Sequence, residues 1–172
     1  MKLLLDTHVA IWWEANHPKL SQRARDLISN ASDDVLVSRC SLWEMAVKVD
    51  LGRLKMDLGR FEQRIELTGF QWLGIETDHI LAYVSLPTFS DHKDPFDRLL
   101  VAQSLTEPLI LVTADAHLAR YGSTVRVVAS GTGQPDFDMG EALVDLTKAS
   151  PLTDELEDAE TVAKIRRRRR RR

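Results

Sequence analysis

Short apolar runs alternate with helix-like segments along most of this chain, and that alternation leaves few folds open. Residues 2–6 (KLLLD) and 109–113 (LILVT) read as buried strands, and VLVS at 35–38, FQWLGI at 70–75 and TVRVV at 124–128 read as further strands. Helices are expected over 8–14, 20–29, 57–68, 77–85 and 115–120. Another is expected from Ser41 to about Asp50, because Ser41-x-x-Glu44 has the form of a capping box and Gly52 breaks the chain after it. A last one opens at Asp94-Pro95, with aspartate as N-cap and proline at the first helical position, and runs to about Leu105. Strands alternating with helices imply a parallel sheet joined by right-handed crossovers. The expectation is an α/β domain.

The 172 residues suffice for one domain with a sizeable core. That domain is expected over residues 1–130. From Gly131 the chain turns irregular, then acidic between Asp136 and Glu160, and ends in an unbroken arginine run, Arg166–Arg172. Such blocks ordinarily stay solvated, so 131–172 is expected to be a disordered or partly helical tail. The arginines have three readings: non-specific RNA binding, pairing with the acids before them, or an artificial addition. A fourth, more speculative, is docking of one arginine into a carboxylate pocket of the domain. The net charge of −3 neither favours nor excludes a nucleic-acid partner. The single cysteine, Cys40, fits a reducing cytoplasmic setting. MKLLLD is too short for a signal peptide's apolar region, and no stretch is long enough to span a bilayer.

Four acids stand out against this background. Asp6, Glu44, Asp97 and Asp115 each follow a short apolar or β-like run and each open a helix-like segment. In an open parallel sheet the carboxyl ends of the strands share one edge, where such folds place their sites. Carboxylates gathered there repel unless a cation neutralises them, and hard divalent ions such as Mg²⁺ or Mn²⁺ take oxygen ligands. Each acid also has a local explanation, since acidic groups favour helix N-termini. Capping alone leaves unexplained why Asp6 and Asp115 directly end apolar strands. The histidines His8, His79, His92 and His117 lack the spacing of a zinc set. His92 and Arg98 flank the acidic cluster, with a phosphate contact or, for Arg98, a surface salt bridge as readings. Lys48 reads as an i,i+4 partner of Glu44. Of Trp12, Trp13 and Trp43, two are expected in the core or an interface.

The strings LLLDTHVAIWW, VSRCSLWEMAVKVDLGRL, HKDPFDRLLVAQS and LVTADAHLARY, in this order and spacing, resemble those of PIN-domain ribonucleases of the VapC toxin type, found in bacterial type II toxin–antitoxin pairs. The resemblance covers about residues 1–129. It implies a three-layer α/β/α domain with a central parallel sheet and Mg²⁺- or Mn²⁺-dependent cleavage of RNA. It also implies a homodimer, taken here to bury apolar surface of the early helices, and a cognate antitoxin. By position, the metal-binding catalytic quartet is Asp6, Glu44, Asp97 and Asp115. Thr113 matches a polar residue beside the last acid, and Asp94 is a cap that supports the site from behind. The tail departs from the family pattern.

Metal-activated water hydrolysing a phosphodiester fits these residues, because Asp and Glu are hard ligands and no G-x-S-x-G nucleophile elbow occurs. A non-catalytic RNA- or protein-binding module of the same fold is the alternative, which retention of all four acids disfavours. A haloacid-dehalogenase-like phosphatase also begins with a strand ending in aspartate, but it needs D-x-D, and position 8 is His8.

Overall fold

The computed structural model of the chain describes residues 1–31 and 34–128. The expectations for 131–172 lie outside the described residues. Strands β1 (Leu3–Leu5), β2 (Val35–Ser38), β3 (Gln71–Leu73), β4 (Ile110–Thr113) and β5 (Val125–Val127) form one sheet in the order β3-β2-β1-β4-β5. All the pairings are parallel. The helices are α1 (Thr7–Glu14), α2 (Gln22–Ser29), α3 (Arg39–Asp50), α4 (Leu58–Leu67), α5 (Thr77–Ser85) and α6 (Pro95–Thr106), and a 3₁₀ helix spans Ala116–Tyr121.

Alternate strand residues enter two different cores, one on each face of the sheet. Leu3, Leu5, Val35, Val37 and Val112 pack with Val9, Ile28, Phe61 and Ile65. Leu4 and Leu111 pack with Leu100, Val101, Leu109 and Leu118 on the other face. A strand covered on both faces must be apolar at every position, which is why these strands read as continuous apolar runs. The result is the three-layer α/β/α arrangement.

The strand order also sets where a site can form. The chain lays β1, β2 and β3 outward in one direction, then returns to place β4 on the other side of β1. The crevice between the carboxyl ends of β1 and β4 is therefore the topological switch point, where open α/β sheets bind ligands. The register aligns Leu5 with both Val37 and Val112, so Asp6, Ser38 and Thr113 sit side by side on that edge.

Two expectations are corrected here. The N-cap of α3 is Ser38, whose hydroxyl accepts from the Cys40 amide at 2.9 Å. The helix therefore starts three residues before the expected Ser41–Glu44 box. Because β2 ends in a residue that caps at once, Ser41 is buried inside the helix and Glu44 is freed for tertiary contacts. The early helices are also not the exposed apolar surface. Trp12 and Trp13 are half-buried against the first core, Trp13 beside Phe70 with ring centroids 5.7 Å apart. Trp43 is exposed and meets Phe96 edge-on. The exposed apolar residues of the helices cluster on α5, at Ile80, Leu81 and Val84. Helix α3 ends at Asp50 with Leu51 as its C-cap, and Gly52 follows with φ +67°, a conformation that favours glycine.

Candidate active site

Asp6 follows β1 directly and N-caps α1, and is only 3% exposed. Its Oδ1 accepts from the His8 amide (3.4 Å), and its Oδ2 accepts from the Thr113 hydroxyl at 2.5 Å. Thr113 ends β4, and its Oγ1 in turn accepts from the Asp115 amide (3.0 Å). One hydroxyl thus links the first and last acids of the quartet across the switch point, with its proton committed to Asp6. Asp115 caps the 3₁₀ helix, its Oδ1 accepting from the His117 amide at 2.7 Å. Capping and convergence on one edge coexist at both aspartates. The helix-end amides lessen the repulsion between the charges they cap.

Glu44 arrives from α3, equally buried at 3% exposure. Its Oε2 accepts from the Thr7 hydroxyl at 2.5 Å, and Thr7 also contacts Ser41 Oγ at 3.0 Å. Lys48 Nζ lies 2.7 Å from Glu44 Oε1, the expected i,i+4 pair, but reaching a buried carboxylate. Thr7 follows Asp6 in sequence, so the first turn of α1 orients Glu44 with one residue and carries Asp6 with the other.

Asp97 lies in the first turn of α6. Asp94 Oδ1 accepts from the Phe96 and Asp97 amides (2.8 and 3.2 Å), so Asp94 acts as the cap expected of it. Burial, reinforced by the charges of Asp6, Asp94, Glu44 and Asp115, pushes the Asp97 carboxyl up to about 9. Asp6 is raised as well, chiefly by burial, with Glu44 adding to it while His8 and Thr113 oppose it. The quartet is therefore one electrostatic unit, and carboxylates so crowded favour a bound cation.

Two neighbours flank the acids as expected and differ in what they touch. His92, 8% exposed, lies with Nε2 3.2 Å from Asp97 Oδ2 and 4.0 Å from Asp115 Oδ2. One ligand atom from each of His92, Asp97 and Asp115 falls within 4.8 Å of the others. Arg98 is neither a phosphate contact nor a surface salt bridge. It is buried, and its Nη1 donates to the Pro87 carbonyl (2.7 Å) and the Tyr121 hydroxyl (3.2 Å). The loop before α6 and Tyr121 of the 3₁₀ helix create these contacts once the chain has folded, so no local sequence signal announces them. The other histidines are dispersed: His8 is 4.0 Å from Asp6, His79 belongs to the α5 capping box, and His117 faces Asp91. Burial raises the Cys40 thiol to about 12, which leaves it un-ionised and a poor nucleophile. The donor set, carboxylate oxygens with one imidazole close by, suits a hard or borderline divalent ion such as Mg²⁺ or Mn²⁺.

A family model described as the PIN domain matches residues 3–124. The chain is 32% identical over 117 residues to ribonuclease VapC22 of Mycobacterium tuberculosis, covering 67% of this chain and 88% of that one. Among solved structures it resembles VapBC2 from Rickettsia felis bound to a DNA fragment from its promoter, with a TM-score of 0.54 at 14% identity over 76% of this chain and 99% of that one. It also resembles a toxin–antitoxin complex from Klebsiella pneumoniae, with a TM-score of 0.53 at 19% identity over 73% of this chain and 97% of that one. At these identities the structural likenesses establish the fold.

Proposed function

The chain belongs to the PIN-domain family, and we propose that it is a metal-dependent endoribonuclease, the toxin of a toxin–antitoxin pair. What supports this reading is that the Thr113 hydroxyl joins Asp6 to Asp115, that Asp97 and Asp115 meet at His92, and that burial and the charges of the other acids, Glu44 among them, raise Asp97 and Asp6. These four residues would hold Mg²⁺ or Mn²⁺, and the chemistry such an ion supplies when bound is a water of lowered pKa and relief of charge on phosphate oxygens. The protein's own part is preorganisation. Thr113 holds Asp6, Thr7 holds Glu44, and the Asp94 cap sets the first turn of α6 that carries Asp97. Lys48 offsets part of the negative charge at Glu44.

The ribonuclease relative supports RNA as substrate, and the toxin–antitoxin assemblies of similar fold support an antitoxin partner. A homodimer belongs to the same reading, and the exposed apolar face of α5 is the surface that favours it. A cytoplasmic setting belongs to the same reading; separately, no described helix is long and apolar enough to cross a membrane. The nuclease domain is assigned to residues 1–130, with 131–172 as an appended tail.

The test is cleavage of total RNA by the purified full chain. Activity is expected with Mg²⁺ or Mn²⁺ and is expected to vanish with EDTA. Asp6→Asn and Asp97→Asn keep side-chain shape and lose the ligand charge, so each is expected to lower cleavage by at least about 100-fold, the scale of losing several kcal/mol of transition-state stabilisation. A chain ending at Ser130 is expected to remain active. Cleavage by the full chain that persists in EDTA would refute the metal-dependent reading.

A further inference from the structure

His92 belongs to the loop between α5 and α6, not to any element that carries the acids, yet its side chain is more buried than those of Asp97 and Asp115 beside it. Its backbone amide donates to the Phe89 carbonyl at 3.4 Å, closing a tight loop. The Tyr121 ring packs edge-on against both Phe89 and His92, with centroids 5.2 and 5.8 Å away. Arg98 ties this loop down from within α6, donating to the Pro87 and Tyr83 carbonyls and lying over the Tyr83 ring. The imidazole is therefore held on several sides and aimed at Asp97.

The hydrogen bonds also favour one of the two ring tautomers. Arg98 is always charged and has only donors, so at the Tyr121 hydroxyl it must donate (Nη1 to oxygen, 3.2 Å). The phenol keeps its own hydrogen to give, and His92 Nδ1 lies 3.3 Å from that oxygen. If Nδ1 accepts there, a neutral imidazole carries its hydrogen on Nε2. Nε2 is the atom 3.2 Å from Asp97 Oδ2.

We propose that His92 is a positioning residue for the carboxylate cluster: its Nε2–H holds Asp97 Oδ2, and the Arg98–Tyr121 pair fixes the tautomer that lets it do so. The assignment rests on the nuclease reading for its purpose, but not for its geometry. With a hydrogen on Nε2 that nitrogen has no lone pair to offer an ion, and the Nδ1 lone pair is engaged by the Tyr121 hydroxyl, so the ring orients a ligand and does not serve as one. Groups that orient metal ligands in this way typically change metal affinity about 10- to 100-fold when removed. Asp97 is the acid that most needs such help, since among the described residues its carboxylate is held neither by a side-chain hydroxyl, as Asp6 and Glu44 are, nor by a backbone amide, as Asp115 is.

Three measurements on the full chain test this. In Mg²⁺-loaded protein at a pH where imidazole is neutral, ¹⁵N spectroscopy is expected to show His92 as the Nε2–H tautomer, the signal being assigned by its loss in His92→Leu. The Nδ1–H tautomer would overturn the proposal. Calorimetric titration with Mn²⁺ is expected to give binding about 10- to 100-fold weaker in His92→Leu. His92→Gln, which keeps an N–H near the Nε2 position, is expected to recover most of the affinity. Equal binding by wild type and His92→Leu would overturn the role. Pulsed electron paramagnetic resonance of the Mn²⁺-loaded protein is expected to show no coupling to a histidine nitrogen, and a coupling lost in His92→Gln would make His92 a ligand instead. Wild type that passes these tests but leaves RNA intact would sink the nuclease reading alone.

Discussion

Asp97 concentrates the electrostatics of the site in one carboxyl. Its ordinary value is 3.8, and in the folded, metal-free chain burial and the surrounding carboxylates hold it at about 9. Between those values the folded state binds a proton that the unfolded state has released. Stability therefore falls as pH rises through this window, and the effect is absent below it, where both states are protonated. Thermal melts in EDTA are expected to show a decline from pH 4 towards pH 9, with Asp97→Asn flattening the curve and raising stability at the alkaline end. An unchanged slope in Asp97→Asn would place the burden on another group. Asp6, Asp97 and Asp115 are legible in the sequence because each stands where an apolar strand or a proline-led helix start must put it on the sheet's edge. His92 flanks the same cluster as its place in the chain suggests, but its tertiary partners, and those of Arg98, are not legible there. Their roles depend on Tyr121, which approaches from the 3₁₀ helix only after the chain has folded.

At the scale of elements, helix α3 shows how local signals compete. Ser41-x-x-Glu44 has the form of a capping box, but Ser38 ends β2 and takes the capping position first. Both serines offer the same local chemistry, and the strand's pairing to Val37 decides between them. Ser38→Ala is expected to cost about 1 kcal/mol through the lost cap, read as a lower urea midpoint with an unchanged m-value. An effect no larger than a few tenths would mean that the Cys40 amide has found another acceptor. At α6 the local signals agree with one another, since Asp94 and Pro95 define a single start, and the helix begins there. Helix α5 matches its expected span of 77–85, but its exposed apolar face was not anticipated.

For the whole molecule, that face bears on assembly. Ile80 and Val84 are 53% and 76% exposed and lie one helical turn apart. If a homodimer forms through α5, Val84→Glu is expected to shift light scattering from dimer to monomer while leaving the far-ultraviolet circular dichroism unchanged. A dimer indifferent to Val84→Glu would move the interface elsewhere. The tryptophans of α1 take the core place expected of two of the three: both are half-buried against the first core, and their neighbours claim both rings.

Periodicity by itself determined the alternation of strands and helices, hence a parallel α/β sheet, and the acids at the strand ends. These follow from local chemistry, since burial on both faces demands continuous apolar runs and helix starts demand caps. Only the tertiary structure decided that β4 inserts beside β1 and not beyond β3. That choice rests on which apolar faces pack best together, a property of distant residues jointly. It brings Thr113 to Asp6 across 107 residues of chain, and with it the Tyr121–His92 pair to Asp97.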